Sequence, residues 1–91
     1  MTMYRISLKC VGVPKDEGLQ ASREIERDFQ TREWHVDVHC WWDGNAIFIT
    51  AWNDFDDTGL ALRDEFSDLI SAHVRTAFDG DIQTVEVLSM N

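Results

Sequence analysis

Residues 34–52, Trp34-His35-Val36-Asp37-Val38-His39-Cys40-Trp41-Trp42-Asp43-Gly44-Asn45-Ala46-Ile47-Phe48-Ile49-Thr50-Ala51-Trp52, read as two alternating strands folded back on each other at Asp43-Gly44-Asn45. An Asp-Gly or Gly-Asn pair between alternating apolar runs signals a hairpin, because a tight primed turn needs a positive φ that these residues supply cheaply. Either pair as the two-residue loop preserves the same faces. Strict alternation predicts Trp34, Val36, Val38, Cys40 and Trp42 pointing inward with Ile47, Ile49 and Ala51. It sends His35, Asp37, His39 and Trp41 outward with Phe48, Thr50 and Trp52.

Working outward, each side of the hairpin carries one helical pattern and then one strand. Residues 3–13 alternate, with Tyr4, Ile6, Leu8 and Cys10 on one face and Arg5, Ser7 and Lys9 on the other, as a half-buried strand does. A first helix is expected over about residues 16–32, with Leu19, Ser22, Ile25 and Phe29 forming a thin stripe and Gly18 weakening its start. A second is expected over about residues 57–78. It places Leu62, Phe66, Leu69, Ile70, His73 and Ala77 on one arc and Asp57, Asp64, Asp68 and Arg75 on the opposite arc, and Gly80 ends it. Residues 82–88 supply a last strand.

The element order β-α-β-β-α-β has one compact solution with right-handed crossovers: an antiparallel sheet in spatial order 4-1-3-2 with both helices on one face. This resembles the ferredoxin-like split arrangement, an α+β fold that makes residues 1–91 a single domain. The other sheet face is left without helices. On it His35, His39, Trp41, Phe48 and Trp52 gather beside Arg5, Ser7 and Lys9, which exceeds the apolar surface that a monomer usually exposes.

A chain of 91 residues buries roughly 60 to 65% of its unfolded surface, enough for one sheet-on-helix core and too little for a deep cleft in a single copy. The net charge is -9 and is unevenly spread: six acids and six bases cancel over residues 1–33, while residues 34–91 hold eleven acids against Arg63 and Arg75. Such a field repels phosphate backbones and attracts basic partners. The opening residues alternate and lack the apolar run of a leader or spanning helix, so a cytoplasmic protein away from membranes is expected. Cys10 and Cys40 sit on strands separated by a third, roughly 9 to 10 Å apart, and are expected to be reduced core residues.

Four features resemble functional motifs. Asp54-Phe55-Asp56-Asp57-Thr58 resembles the first motif of haloacid dehalogenase phosphatases, but that family requires a parallel sheet, later motifs and a longer chain. Asp54, Asp56, Thr58, Gly59 and Glu65 stand at positions of an EF-hand-like calcium loop, yet a strand precedes them where a helix should stand. Helix capping by Asp56 or Asp57 is the expected role of this segment. His35 and His39 lie about 13 Å apart along a strand, too far to share one ion, and His73 is expected to be a boundary residue satisfied by a backbone group. The open sheet resembles RNA-recognition domains, but the first strand offers no ring and the charge opposes a phosphate backbone.

No catalytic set, cofactor or metal site is therefore expected. One expectation is a small acidic protein-binding module, such as an immunity or antitoxin-like inhibitor of a basic partner, that binds through Asp57, Asp64, Glu65 and Asp68 on the second helix. The other is a homodimer built on the open sheet face, with His35, His39, Trp41, Phe48 and Trp52 at the contact or around a small-molecule pocket that it encloses, either a binding protein or an enzyme with His35 or His39 as its acid/base candidate.

Overall fold

The alternating and helical patterns fold, in a computed structural model that describes residues 2–91, into six elements. In chain order they are β1 (Met3–Val11), α1 (Gly18–Gln30), β2 (Val36–Trp42), β3 (Ala46–Asn53), α2 (Leu60–His73) and β4 (Asp81–Met90). The strands form one antiparallel sheet in the order β2-β3-β1-β4, which counted from the opposite edge is β4-β1-β3-β2. Ile6 and Leu8 of β1 and Ile47 and Ile49 of β3 join Ile25 and Phe29 of α1 and Leu62, Phe66 and Ile70 of α2 in one buried cluster. Both helices therefore pack on the same sheet face.

The hairpin uses Gly44-Asn45 as its two-residue loop, since Asp43 N–H donates to the Ala46 carbonyl at 3.2 Å. Gly44 takes φ 98° at the first loop position, where a residue with a Cβ is strained. The Asp43 carboxylate accepts the Asn45 and Ala46 amides, both at 2.8 Å, and these bonds hold its pKa below the ordinary value. Gly18, at the start of α1, lets the Trp42 ring lie where a Cβ would stand. Its presence there is a packing requirement.

Strict alternation fails at one place in β2, and the failure rearranges the edge of the sheet. Val36 pairs with Trp52, but His39 pairs with Thr50, so the bulged strand holds one residue more than its partner between those pairs. Asp37 adopts φ 54°, a left-handed conformation that Asp tolerates better than most residues. Upstream of the bulge the faces exchange. His35, expected on the open face, is buried at 6% exposure, while Trp34 and Val36, expected inside, are 53% and 54% exposed. Downstream, Val38 and Cys40 face the core and His39 and Trp41 face solvent, as alternation requires.

Both helices are shorter than their patterns suggest. Ahead of α2, Asp56 reaches past the turn so that its two carboxylate oxygens accept the Ala61 and Leu62 amides at 3.1 and 2.9 Å. Asp57 thus lies in the preceding turn and not on the helix. After His73 the backbone extends, with Val74 at φ -96°, ψ 114° and its side chain in the core. Glu17 then captures the Arg75 and Thr76 amides. Leu19, expected in the α1 stripe, is half exposed, and Ala21 packs inward in its place.

Cys10 and Cys40 are free and buried. Burial, with Asp81 nearby, pushes the Cys10 thiol up to about 11, and burial with Glu26 nearby pushes Cys40 up to about 12. Both are inert core groups at neutral pH.

The bulge makes a specific demand on residue 37. Asp37→Gly should keep stability within about 0.5 kcal/mol, whereas Asp37→Val should lose about 1–2 kcal/mol, because a β-branched residue resists positive φ. Urea unfolding of the two variants measures the difference, and equal stabilities would contradict the left-handed bulge.

Candidate functional site

The helix-free face of the sheet is organised in three rows of paired residues. Val36, Trp52, Arg5 and Leu88 form one; His39, Thr50, Ser7 and Glu86 the next; Trp41, Phe48, Lys9 and Gln83 the third. Trp41 and Phe48 stack across β2 and β3, with centroids 5.4 Å apart and planes 9° from parallel. At the centre, the Ser7 and Thr50 hydroxyls lie 3.5 Å apart, and His39 Nε2 contacts Asp37 Oδ1 at 3.1 Å. Arg5, Ser7, Trp41, Phe48, Thr50, Val85 and Glu86 surround a shallow groove of about 310 Å³.

Among the described residues, five exposed large apolar side chains belong to this face: Val36, Trp41, Val85, Leu88 and Met90, at 38–54% exposure. Trp41, Phe48, Trp52 and His39 stand where alternation puts them. Val36 is added by the bulge in β2, and Val85 by a second irregularity, where β4 shifts register against Ser7 and Leu8. Leu88 and Met90 were hidden in the sequence because Val87, next to Leu88, is apolar as well and packs on the core.

His35, in contrast, leaves this face and enters a hydrogen-bonded chain beneath the other one. Asn53 Oδ1 accepts the Phe55 and Asp56 amides at 3.2 and 2.8 Å, which fixes its amide so that Nδ2 meets His35 Nδ1 at 3.4 Å. His35 must then carry its proton on Nε2, which donates to Glu65 Oε2 at 2.8 Å. Glu65 Oε1 accepts from Arg32 at 2.6 Å and from Trp34 Nε1 at 3.0 Å. Burial raises the Glu65 pKa, and the bonds from His35, Arg32 and Trp34 more than reverse this, leaving the carboxyl below its ordinary value. Glu65, expected on the partner-binding surface, is therefore an internal clamp that joins the ends of α1, β2 and β3 to α2.

Asp57, Asp64 and Asp68 are exposed and make no side-chain hydrogen bond or ion pair among the described residues. Arg63, beside them, donates instead to the Ile82 carbonyl. His73, expected to meet a backbone group, bridges two carboxylates of α1: Nδ1 to Glu24 at 2.9 Å and Nε2 to Asp28 at 2.7 Å. The Asp28 bond, opposed by partial burial and supported by Glu24, holds the imidazole above its ordinary 6.5. A depression of about 240 Å³ lies alongside, among Glu17, Gln20, Glu24, His73 and Arg75. Its Glu17, Glu24 and His73 are already bonded to protein groups.

Among the described residues, no three His, Cys, Asp or Glu side chains group as a metal site would need, and no helix is long and apolar enough to cross a membrane. Comparison with protein-family models, with curated proteins and with solved structures finds no match. The arrangement offers a broad aromatic and aliphatic surface with a few polar groups at its centre, which suits association.

Two consequences concern the clamped groups. Glu65→Ala strands the buried Nε2–H of His35 and should cost about 1–3 kcal/mol, while Asp68→Ala should stay within about 0.5 kcal/mol; chemical denaturation separates them, and equal effects would contradict the clamp. His73 contributes stability that is complete below its ordinary 6.5 and is lost as pH rises through the raised folded value. The stability difference between the native chain and His73→Gln should accordingly shrink with rising pH across that window, as read by thermal unfolding.

Proposed function

We propose that this ferredoxin-like chain is a small acidic protein-binding module that makes its contact through the helix-free face of its sheet. The carrying observation is that Val36, Trp41, Val85, Leu88 and Met90 are all exposed on one sheet face, which runs from the Trp41–Phe48 stack at one end to Val36, Leu88 and Met90 at the other. Isolated exposed apolar residues are ordinary; five on one uncovered sheet are the composition of an interface core, where aromatic side chains dominate the energy.

A second reading has its own support. Asp57, Asp64 and Asp68 face solvent in the half of the chain that holds the whole net charge of -9, so an electrostatic contact with a basic protein, of the kind an immunity or antitoxin-like inhibitor makes, would use α2 and the turn before it. Glu65 takes no part in that reading, because its oxygens are committed internally.

The two surfaces separate by substitution. Any protein retained by the immobilised chain, its own copies included, should be lost when Trp41 and Leu88 are both changed to Ser and kept when Asp64 and Asp68 are both changed to Lys. The affinity loss on the sheet face should be about tenfold or more, with unchanged circular dichroism in both variants. The opposite pattern would select the α2 surface.

A further inference from the structure

On the reading that the helix-free face is the contact surface, we infer that its occupant is a second copy of this chain, related by a two-fold axis that runs along the strands between β1 and β3. The register of the face selects this axis. Such an axis keeps each row at its own level and exchanges β1 with β3 and β4 with β2. Ser7 and Thr50, already 3.5 Å apart, lie nearest the axis, so the hydroxyls of both copies meet at the centre.

Most of the remaining pairs are complementary; the exception is Gln83, whose side chain lies against Trp41 of the second copy in the third row. In the first, Arg5 meets Trp52 of the second copy and Leu88 meets its Val36; in the third, Lys9 meets its Phe48. These are cation-on-ring and apolar contacts. In the central row Glu86 meets His39 of the second copy. His39 contacts Asp37 through Nε2 and leaves Nδ1 open, so that in its imidazolium form the ring donates Nε2–H to Asp37 and Nδ1–H to the Glu86 carboxylate of the second copy. No like charges oppose each other in the three rows. A shift of one row loses this: Arg5 would then face Thr50 and Glu86 would lose its histidine.

Size and charge agree with the pairing. A four-stranded face about eight residues long covers roughly 500 Å² in projection, and the relief of its side chains brings the accessible area toward the roughly 800 Å² per partner of an ordinary stable interface. In a chain of net charge -9, face-to-face packing also turns the exposed Asp64 and Asp68 outward on both copies. The two acidic helix surfaces are then roughly 30 Å apart, counting about 10 Å per packed layer, well beyond the Debye length of about 8 Å.

Glu86 and His39 of one copy are three strand positions apart, roughly 14 Å at ordinary strand spacing, so a charge exchange between them reports contact between copies. Glu86→Lys alone and His39→Glu alone should each weaken self-association at least tenfold in sedimentation, because each creates like or unpaired charges twice per dimer. An equimolar mixture of the two single variants should restore the dimer, now as a heterodimer, and the double variant should restore it by itself; circular dichroism controls for folding. A chain that stays monomeric at high concentration, or a dimer that these changes do not affect, would overturn the two-fold register. If the chain is monomeric but changing Trp41 and Leu88 to Ser still abolishes binding of a different protein, the second copy is wrong and the sheet-face reading stands. If the monomer loses nothing by those changes, both fail.

Discussion

One extra residue in β2 decides what each side of this protein presents. With Asp37 in the left-handed region the strand gains a residue between its Val36 and His39 pairs, and His35 and Val36, just before the bulge, turn over. His35 is carried inward to Glu65 and Asn53, and Val36 is carried outward to Trp52. The same local event therefore builds the internal clamp and extends the apolar face. A buried imidazole with both nitrogens bonded is a stable outcome; one without those partners would cost far more than the bulge.

The clamp in turn separates the two sides electrically. Glu65 is tied to Arg32, Trp34 and His35, and Asp56 to the first amides of α2, so two acids from the most acidic stretch are spent on structure. Glu26 likewise takes the Cys40 amide at 2.9 Å and satisfies part of the β2 edge, which an uncovered strand would offer to other chains. The acids that remain free on α2 point away from the sheet face, where Arg5 and Lys9 stand. An acidic helix side and a mixed, aromatic sheet side result, and the second holds Val36, Trp41, Val85, Leu88 and Met90, whose burial on contact would release water.

Much of the fold was legible because its signals are local. Alternation placed Ile6, Leu8, Ile47, Ile49 and Ala51 inside, and the Gly44 turn announced the hairpin. The bulge was not legible, since Trp34, Val36 and Val38 continue a faultless period of two past it; only pairing with β3 and the bonds waiting for His35 reveal the break. The end of α2 was missed for a similar reason. Val74 suits a helical stripe as well as it suits the core, and the Glu17 carboxylate that captures the next amides lies far away in sequence. Of the open face, Trp41, Phe48 and Trp52 could be read, while Leu88 and Met90 could not, because both faces of β4 are partly apolar. Helix two showed a charged stripe, but no local pattern separates Glu65, which is bonded inside, from Asp64 and Asp68, which are not.

The side of the sheet on which His35 lies is the most direct test of this arrangement, and through-space proton contacts in solution measure it. The His35 ring should show contacts to the Phe29 and Phe55 rings, whose centroids lie 5.7 and 6.1 Å away, together with contacts between Val36 and Trp52 across the open face. Contacts from the His35 ring to Trp52 or Arg5, with Val36 in contact with Phe29, would show that β2 alternates without a bulge and would contradict it.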